Sequence, residues 1–333
     1  MARAMERRRI PRLDREVSAI GLGTWQLGAD WGDVDDAAAR EVLAAAWDGG
    51  VTFFDTADVY GDGRSEQFCA ELHERHPDAI VATKMGRRVE QTAANYSPES
   101  FRAWNDRSRR NLGLETIDLV QLHCPPDGVY ASDVAFEALD AMVAAGRMRA
   151  YGVSVETCDQ ALAAIARPHV ATVQIILNCF RLKPLEQVLP AARDAGVGII
   201  VRVPLASGLL SGRYDETTTF AASDHRSFNR AGEAFDVGET FAGVPFEVGV
   251  LAARELSGLI AHDPNHPTTL AHFALRWVLD QPGVSTVIPG ARSPEQVRAN
   301  IAADALPPLS EAQRRGVVDV YERLIAEHVH DRW

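Results

Sequence analysis

Short apolar runs alternate with helical patterns along almost the whole of this 333-residue chain, and no other feature limits its possible folds so strongly. The runs have the length and the β-branched, apolar composition of buried strands, and amphipathic segments separate them. This order predicts a parallel sheet covered by helices. The eight strand candidates are residues 19–23, 51–55, 79–84, 118–123, 150–155, 172–177, 197–203 and 284–290.

Residues that favour helix N-termini stand where the alternation requires them. Ser97 and Ser293 each precede a proline, which suits the first helical turn. Capping boxes, in which Ser or Thr is followed three residues later by Gln, begin at Thr157, Ser293 and Ser310. Eight strand–helix units predict a (β/α)8 barrel, a TIM barrel, as a single domain over residues 1–333, with its active site at the carboxyl ends of the strands.

An open, doubly wound sheet is the alternative, because it shares the local strand–helix pattern. If such a sheet bound a dinucleotide, it would carry a G-x-G-x-x-G turn after its first strand. Residues 20–25, Ile-Gly-Leu-Gly-Thr-Trp, contain only G-x-G. We therefore favour the barrel.

One segment, residues 204–248, departs from the alternation. It is rich in Gly, Ser, Asp and Phe and has no sustained period. Loops of this length are usually functional or disordered. We expect this segment to cover a bound ligand.

The composition is that of an ordinary globular protein, with 46% apolar and 24% charged residues. The net charge of −12 argues against nonspecific nucleic-acid binding. No stretch approaches the roughly 18 apolar residues of a membrane span, and the basic start lacks the apolar core of a signal peptide. The four cysteines show no C-x-x-C pair, which predicts reduced thiols in a cytoplasmic protein; Cys124, beside His123, could be a reactive one.

Four titratable residues stand at or just past the ends of strand candidates, where parallel α/β folds place their chemistry: Asp55, Tyr60, Lys84 and His123. A phenol beside an ammonium group can donate a proton, and the ammonium charge would lower the pKa of the phenol from about 10. The sequence therefore predicts an enzyme with a proton-donating site.

These residues, in this order, resemble the aldo-keto reductase family. The resemblance extends over nearly the whole chain. It rests on GLGTWQLG near the start, FFDTADVYGDGRSE, the Lys and His at the next two strand ends, GVSV, the Gln174 and Asn178 pair, PLASGLLSGRY and IPGARSPEQVRAN. It implies a (β/α)8 barrel that binds a nicotinamide dinucleotide, usually NADPH, and reduces an aldehyde or ketone.

The resemblance also implies roles for individual residues. It makes Asp55, Tyr60, Lys84 and His123 the catalytic residues. The nicotinamide would lie near Gly23, Thr24, Ser154, Gln174 and Asn178; the pyrophosphate near Leu205, Ser207 and Leu210; and the adenosine near Gly290, Arg292, Gln296 and Asn300.

Arg292 supports NADPH over NADH. It stands just before the helix that begins after Ser293, and helix N-termini favour anions. Its guanidinium could bind a 2′-phosphate or stack on adenine. Many members of the family carry a Lys where this chain has Gly290, and its absence weakens the preference for the phosphate.

Arg202 departs from the family pattern, which commonly has an aromatic residue stacked on the nicotinamide at this position. A guanidinium there would repel the oxidised, cationic ring more than the neutral reduced one. Alternatively, Arg202 reaches water or a carboxylate. The sequence leaves both possibilities open.

The substrate is the least determined part of the prediction. Trp25 and Trp31 follow the first strand and could form an apolar wall for a small carbonyl compound or sugar. A nucleotide-binding regulatory subunit of the same fold, like the potassium-channel β subunits that resemble this family, is an alternative to an enzyme. A metal-dependent barrel hydrolase is a weaker one, since His262 and His266 are its nearest ligand pair and we expect no metal. The oligomeric state is not predicted.

Overall fold

The protein, described here by a computed structural model over residues 4–28, 34–261 and 269–333, contains a barrel of eight parallel strands. Barrel strands that follow one another in the chain are neighbours in the sheet. The strands are β3 Leu22–Gly23, β4 Phe53–Asp55, β5 Ile80–Met85, β6 Ile117–His123, β7 Met148–Ser154, β8 Val170–Ile176, β9 Gly198–Arg202 and β10 Val284–Val287. Each lies within one predicted run or overlaps it.

The barrel closes between its first and last strands. The backbone N–H of Gly21 donates to the carbonyl of Val287 at 2.8 Å, and the N–H of Val287 donates to the carbonyl of Ala19 at 2.9 Å. Gly23 N–H donates to Pro289 at 3.2 Å. These parallel bridges close the sheet on itself, so the predicted barrel is confirmed and the open sheet is excluded.

Helices surround the barrel, and several begin at the predicted caps. The Thr157 and Ser310 capping boxes form completely, and the hydroxyls of Ser97 and Ser293 accept from the backbone three residues later. The helices are α1 Trp25–Gly28, α2 Asp36–Asp48, α3 Arg64–Arg75, α4 Pro98–Leu112, α5 Asp127–Tyr130, α6 Asp133–Ala144, α7 Cys158–Ile165, α8 Val188–Ala195, α9 His225–Phe228, α10 Phe246–Ala261, α11 Leu270–Leu279, α12 Pro294–Ala302, α13 Glu311–Val320 and α14 Ala326–Val329.

A hairpin that the sequence analysis missed closes the amino-terminal end of the barrel. Its strands, β1 Arg7–Ile10 and β2 Arg15–Ser18, pair antiparallel. Ile10, Leu13 and Val17 join the apolar cluster of the barrel interior. Access to the barrel is therefore from the carboxyl ends of the strands.

The 204–248 segment is folded over that open end. It contains short helical turns at Ala206–Ser211, Val237–Glu239 and Phe241–Gly243 in addition to α9. The Ser207 hydroxyl ties its two halves together, because it donates to the Glu239 carbonyl and accepts from the Phe241 N–H, both at 3.1 Å.

No helix in the described parts of the chain combines the length and apolar character needed to cross a membrane.

Candidate active site

A buried ion pair joins the ends of β4 and β5. Lys84 Nζ donates to Asp55 Oδ1 and, at 3.0 Å, to the carbonyl of Thr56. The other Asp55 oxygen accepts from the side-chain amides of Gln121 at 3.0 Å and Gln174 at 2.8 Å. Both side chains of the pair are almost fully buried, so the protein supplies the partners that water would otherwise provide.

The Tyr60 hydroxyl stands beside this pair and accepts from Lys84 Nζ at 3.3 Å. Its ring meets the His123 ring edge-on, with centroids 6.0 Å apart, and stacks at 6.0 Å with Trp25. The following turn needs Gly61, which has φ of 60°, because a Cβ there would lie 2.6 Å from the carbonyl oxygen of Gly28. This tight turn fixes the phenol next to the ammonium group.

The expected fall in the pKa of Tyr60 is wrong for this structure. Burial, the largest cause, raises the pKa of Tyr60 above its usual value, while Lys84 opposes the rise. Asp55 also favours the neutral phenol, because it offsets the charge of Lys84. Tyr60 is therefore protonated at neutral pH.

Lys84 and His123 differ in charge, because the first is cationic and the second neutral. Burial disfavours the Lys84 ammonium, but Asp55 and Tyr60 outweigh it and hold the pKa of Lys84 above its usual value. Burial, together with the positive charges of Arg87 and Lys84, lowers the pKa of His123 well below its usual value. The site thus combines a charged lysine, a neutral imidazole and a neutral phenol.

A cavity of about 740 Å³ extends from these residues to the start of α12. Its inner end is lined by Asp55, Tyr60, His123, Arg202 and Glu239, and its outer end by residues of the last loop and α12 that include Gly290, Arg292, Glu295, Gln296 and Asn300. The predicted site residues that line it are Gly23, Thr24, Trp25, Asp55, Tyr60, His123, Ser154, Gln174, Arg202, Leu205, Ser207, Gly290, Arg292, Gln296 and Asn300.

Two predicted cofactor residues lie behind the cavity wall. Asn178 is fully buried, donates to the Val203 carbonyl at 2.9 Å and accepts from the Phe180 N–H at 2.8 Å. Leu210 is also fully buried, in the main apolar core. Trp31, His262 and His266 lie outside the described residues.

The outer end is more exposed. Arg292 is exposed, and its backbone N–H donates to the Gln296 side chain at 2.7 Å. Asn300 donates to the Gly290 carbonyl at 3.3 Å. A Cβ on Gly290 would lie 2.1 Å from the side-chain amide of Gln26, so a lysine at this position would require the Gln26 side chain to move.

Arg202 reaches a carboxylate, which is one of the two possibilities left open by the sequence, and it also lines the cavity. Its guanidinium lies 3.6 Å from Glu239 Oε1 and donates to the carbonyl of Val155 at 2.9 Å. Glu239 also accepts from Arg87 at 2.9 Å, and Arg87 in turn contacts Glu156 at 3.1 Å. We call Arg87, Glu156, Arg202 and Glu239 the charge cluster.

Glu239 is the main residue that the sequence analysis missed. It lies in the segment without a period, 152 residues from Arg87, so only the folded chain brings the two together. Arg87 and Arg202 hold the pKa of Glu239 below its usual value, although burial, the largest single influence, acts in the opposite direction. The Glu239 carboxylate is therefore ionised at the cavity wall.

The surroundings of Cys124 disfavour the reactive thiolate that its position suggested. Burial is the largest influence and raises the pKa of Cys124 above its usual value. A protonated thiol is a weak nucleophile and a weak metal ligand. Its sulfur, Glu156 and Glu239 lie within 4.8 Å of one another, but Glu239 is already paired with Arg87 and Arg202.

A second buried carboxyl lies in the turn between Asp55 and Tyr60. Asp58 is fully buried, and neither of its oxygens has a hydrogen-bond partner in the described structure. Burial, with the nearby Glu66 charge, raises the pKa of Asp58 to about 7. Asp58 thus contrasts with Asp55, to which the protein gives an ammonium and two amides.

Comparison with known proteins agrees with this geometry. A sequence profile described as the aldo/keto reductase family matches residues 19–322. The chain is 32% identical to the aldo-keto reductase YhdN of Bacillus subtilis, over 85% of this chain and 84% of that protein. The structure named glycerol dehydrogenase AKR11B4, from Gluconobacter oxydans, has a TM-score of 0.76 and 32% identity and covers 97% of this chain and 96% of its own.

Two more distant relatives bear on the remaining alternatives. The chain is 27% identical to an NADH-specific methylglyoxal reductase of Escherichia coli, over 87% of this chain and 90% of that protein. It is 26% identical to a probable voltage-gated potassium channel subunit beta of Arabidopsis thaliana, over 93% of each.

Proposed function

The chain belongs to the aldo/keto reductase family of NAD(P)H-dependent oxidoreductases, and on that premise we propose that it reduces a small aldehyde or ketone with NADPH. The observation that carries the proposal is the protonated Tyr60 beside the buried Lys84–Asp55 pair, at the inner end of the cavity. A carbonyl needs a hydride on carbon and a proton on oxygen.

When bound, the reduced nicotinamide supplies the hydride. Tyr60 donates a hydrogen bond to the substrate oxygen and then its proton. Because Lys84 stands 3.3 Å from the phenol, it stabilises the phenolate that remains. His123, held neutral by burial and edge-on to the Tyr60 ring, orients the carbonyl.

The substrate wall beside Tyr60 is aromatic. Trp25 stacks on Tyr60 and contacts Phe235 edge-on, with centroids 5.6 Å apart. Such a wall suits the apolar face of a small carbonyl compound or sugar. Because a similar structure is named a glycerol dehydrogenase, short hydroxylated carbonyls belong among the first compounds to test.

The cavity has the size and the polar lining for a dinucleotide. Its volume lies within the roughly 300–1,000 Å³ of small-molecule sites. Gln26 Oε1, at its wall, is buried without a hydrogen-bond partner in the described part of the chain, and it offers an acceptor to a bound group. Ser207 and Leu205 would adjoin the pyrophosphate, and Arg292 with the α12 N-terminus would adjoin the adenosine end.

Arg292 is our reason for preferring NADPH to NADH. A guanidinium at a helix N-terminus suits a 2′-phosphate, which NADH lacks. The NADH-specific relative means that family membership alone does not decide this preference.

The function is tested by following NADPH and NADH oxidation at 340 nm with a panel of aldehydes, ketones and sugars that includes glyceraldehyde and methylglyoxal. We expect turnover with at least one small aldehyde and a higher kcat/KM with NADPH. Tight NADPH binding without turnover on any compound would favour the alternative, a nucleotide-binding regulatory subunit, to which the potassium-channel relative lends weight.

A further inference from the structure

The charge cluster places a guanidinium group, that of Arg202, at the inner end of the cavity. A nicotinamide that delivers hydride to a carbonyl bonded to Tyr60 must lie at this end, because hydride transfer requires contact. Arg202 and Glu239 line the same end. An unpaired guanidinium there would oppose the oxidised ring, which carries a positive charge that the reduced ring lacks.

The cluster is electrically balanced as it stands. Arg87 and Arg202 carry two positive charges, and Glu156 and Glu239 can carry two negative ones. Of the two carboxylates, only Glu239 contacts both guanidinium groups, at 2.9 Å from Arg87 and 3.6 Å from Arg202. Glu239 also lines the cavity, whereas Glu156 does not.

The other groups close enough to act on the cluster include Arg181, Asp236 and His225, and of these Arg181 and Asp236 carry opposite charges. Lys84 is paired with Asp55, and His123 is neutral. The Cys124 thiol is protonated.

We propose that Glu239 is the counter-charge that allows Arg202 to stand beside the nicotinamide, so that the site binds the oxidised, cationic cofactor as well as the reduced one. This inference rests on the proposed function, since it assumes a nicotinamide in the cavity. It assigns the 204–248 segment a second role besides covering the ligand. The segment carries the negative charge that sets the relative affinity for NADP⁺ and NADPH.

The test is equilibrium binding, which does not depend on turnover. NADP⁺ and NADPH are titrated separately into the purified full chain, and the fluorescence of Trp25 and the other tryptophans reports binding. In Glu239→Gln, which keeps the shape and removes the charge, we expect the ratio Kd(NADP⁺)/Kd(NADPH) to rise about tenfold. In the double variant with Arg202→Gln, the ratio should return to within about twofold of the wild-type value.

Glu295→Gln is the matched control. It removes a glutamate charge from the outer end of the same cavity, and it should leave the ratio unchanged. Circular dichroism and thermal melting check that each variant folds. If Glu239→Gln does not fold, Arg202→Gln decides, because the Glu239 charge left unbalanced should lower the ratio, and an unchanged ratio would overturn the inference.

The remaining outcomes are separable. If neither nucleotide binds the wild-type chain, the proposed function fails, and the inference fails with it. If both bind and Glu239→Gln weakens both equally, Glu239 only supports the segment, and the inference alone is overturned.

Discussion

The two ends of the cavity handle charge in opposite ways. At the inner end, Lys84 and Asp55 are almost fully buried and are paired with each other and with backbone or amide groups. At the outer end, Arg292 is exposed. Buried charges lose their hydration and need partners from the protein, whereas exposed ones keep water and are screened by salt. We therefore expect inner-end substitutions to change rates by orders of magnitude and outer-end ones to change affinity modestly.

The largest effect is expected from Tyr60→Phe, which removes the transferable proton and little else. Carbonyl reduction should fall by about 10²- to 10⁴-fold, while the Kd for NADPH stays nearly constant. The measurement is kcat on a poor aldehyde, where chemistry should limit the rate. Tyr214→Phe, at a second tyrosine of the cavity wall, is the control and should retain activity. If Tyr60→Phe kept turnover within about tenfold of wild type, Tyr60 would not be the proton donor.

A smaller loss, about 10- to 10³-fold in kcat, is expected from Lys84→Met. Lys84 lowers the pKa of Tyr60 against the effect of burial, so its loss should raise that pKa further. In alcohol oxidation, where the phenolate acts as base, the rise of rate with pH should therefore move to higher pH. Lys84→Arg keeps the charge and should restore part of this profile. An unchanged profile in a folded Lys84→Met variant would exclude Lys84 from the proton-donating network.

Asp58 is the exception to the pairing of charges at the inner end, and it gives a stability prediction. Its folded-state pKa of about 7 lies above the usual value near 4, so its ionisation opposes folding. The wild-type free energy of unfolding should therefore fall by about 2–4 kcal/mol, relative to that of Asp58→Asn, as pH rises from about 4 to 7, and the difference should level off above 7.

Urea unfolding of both proteins between pH 4 and 8 measures this difference. Asp62→Asn is the control, because Asp62 lies in the same turn but is exposed and pairs with Arg88 and Arg107. It should leave the pH dependence due to Asp58 in place. If the free energy of unfolding changed with pH in the same way for wild type and Asp58→Asn, Asp58 would be ionised in the folded protein.

The smallest effect is expected at the outer end. Arg292→Ala should weaken NADPH binding by about tenfold and NADH binding much less, because only NADPH has the 2′-phosphate. The loss should shrink as salt is raised. Arg298→Ala is the control, since Arg298 lies on α12, pairs with Glu295 and does not line the cavity. Equal losses for NADPH and NADH would mean that Arg292 stacks on adenine or supports the loop.

The barrel could be predicted from the sequence because its strands are buried on both faces. Such strands are continuous apolar runs, as in β5 and β8, and the runs locate them. The hairpin β1–β2 gave no such signal. Its first strand, Arg-Arg-Arg-Ile, buries only Ile10. A strand stabilised by a single inward side chain cannot be separated from loop by composition.

The sequence predicted the site best where a short motif or a strand end determines the position of a residue. Tyr60 follows from its motif and Lys84 from the end of its strand, and the structure places the Tyr60 hydroxyl 3.3 Å from Lys84 Nζ. The direction of the Tyr60 pKa was wrong, because burial depends on the whole fold. Glu239 was missed because no local period places residues 204–248. The cytoplasmic location and the absence of nucleic-acid binding stay predictions.

The hairpin at the closed end of the barrel has a consequence for how this protein can evolve and be engineered. Arg8, in the first strand of the hairpin, donates hydrogen bonds to the carbonyls of Leu279 and Val284, both at 2.8 Å. These contacts stabilise the closed end of the barrel and involve none of the proposed catalytic residues. We therefore expect substitutions around Ile10 and Leu13 to change thermal stability more than the geometry of the cavity at the opposite end of the barrel. Stabilising substitutions at the closed end could therefore offset the loss of stability caused by substitutions that alter the substrate pocket at the open end.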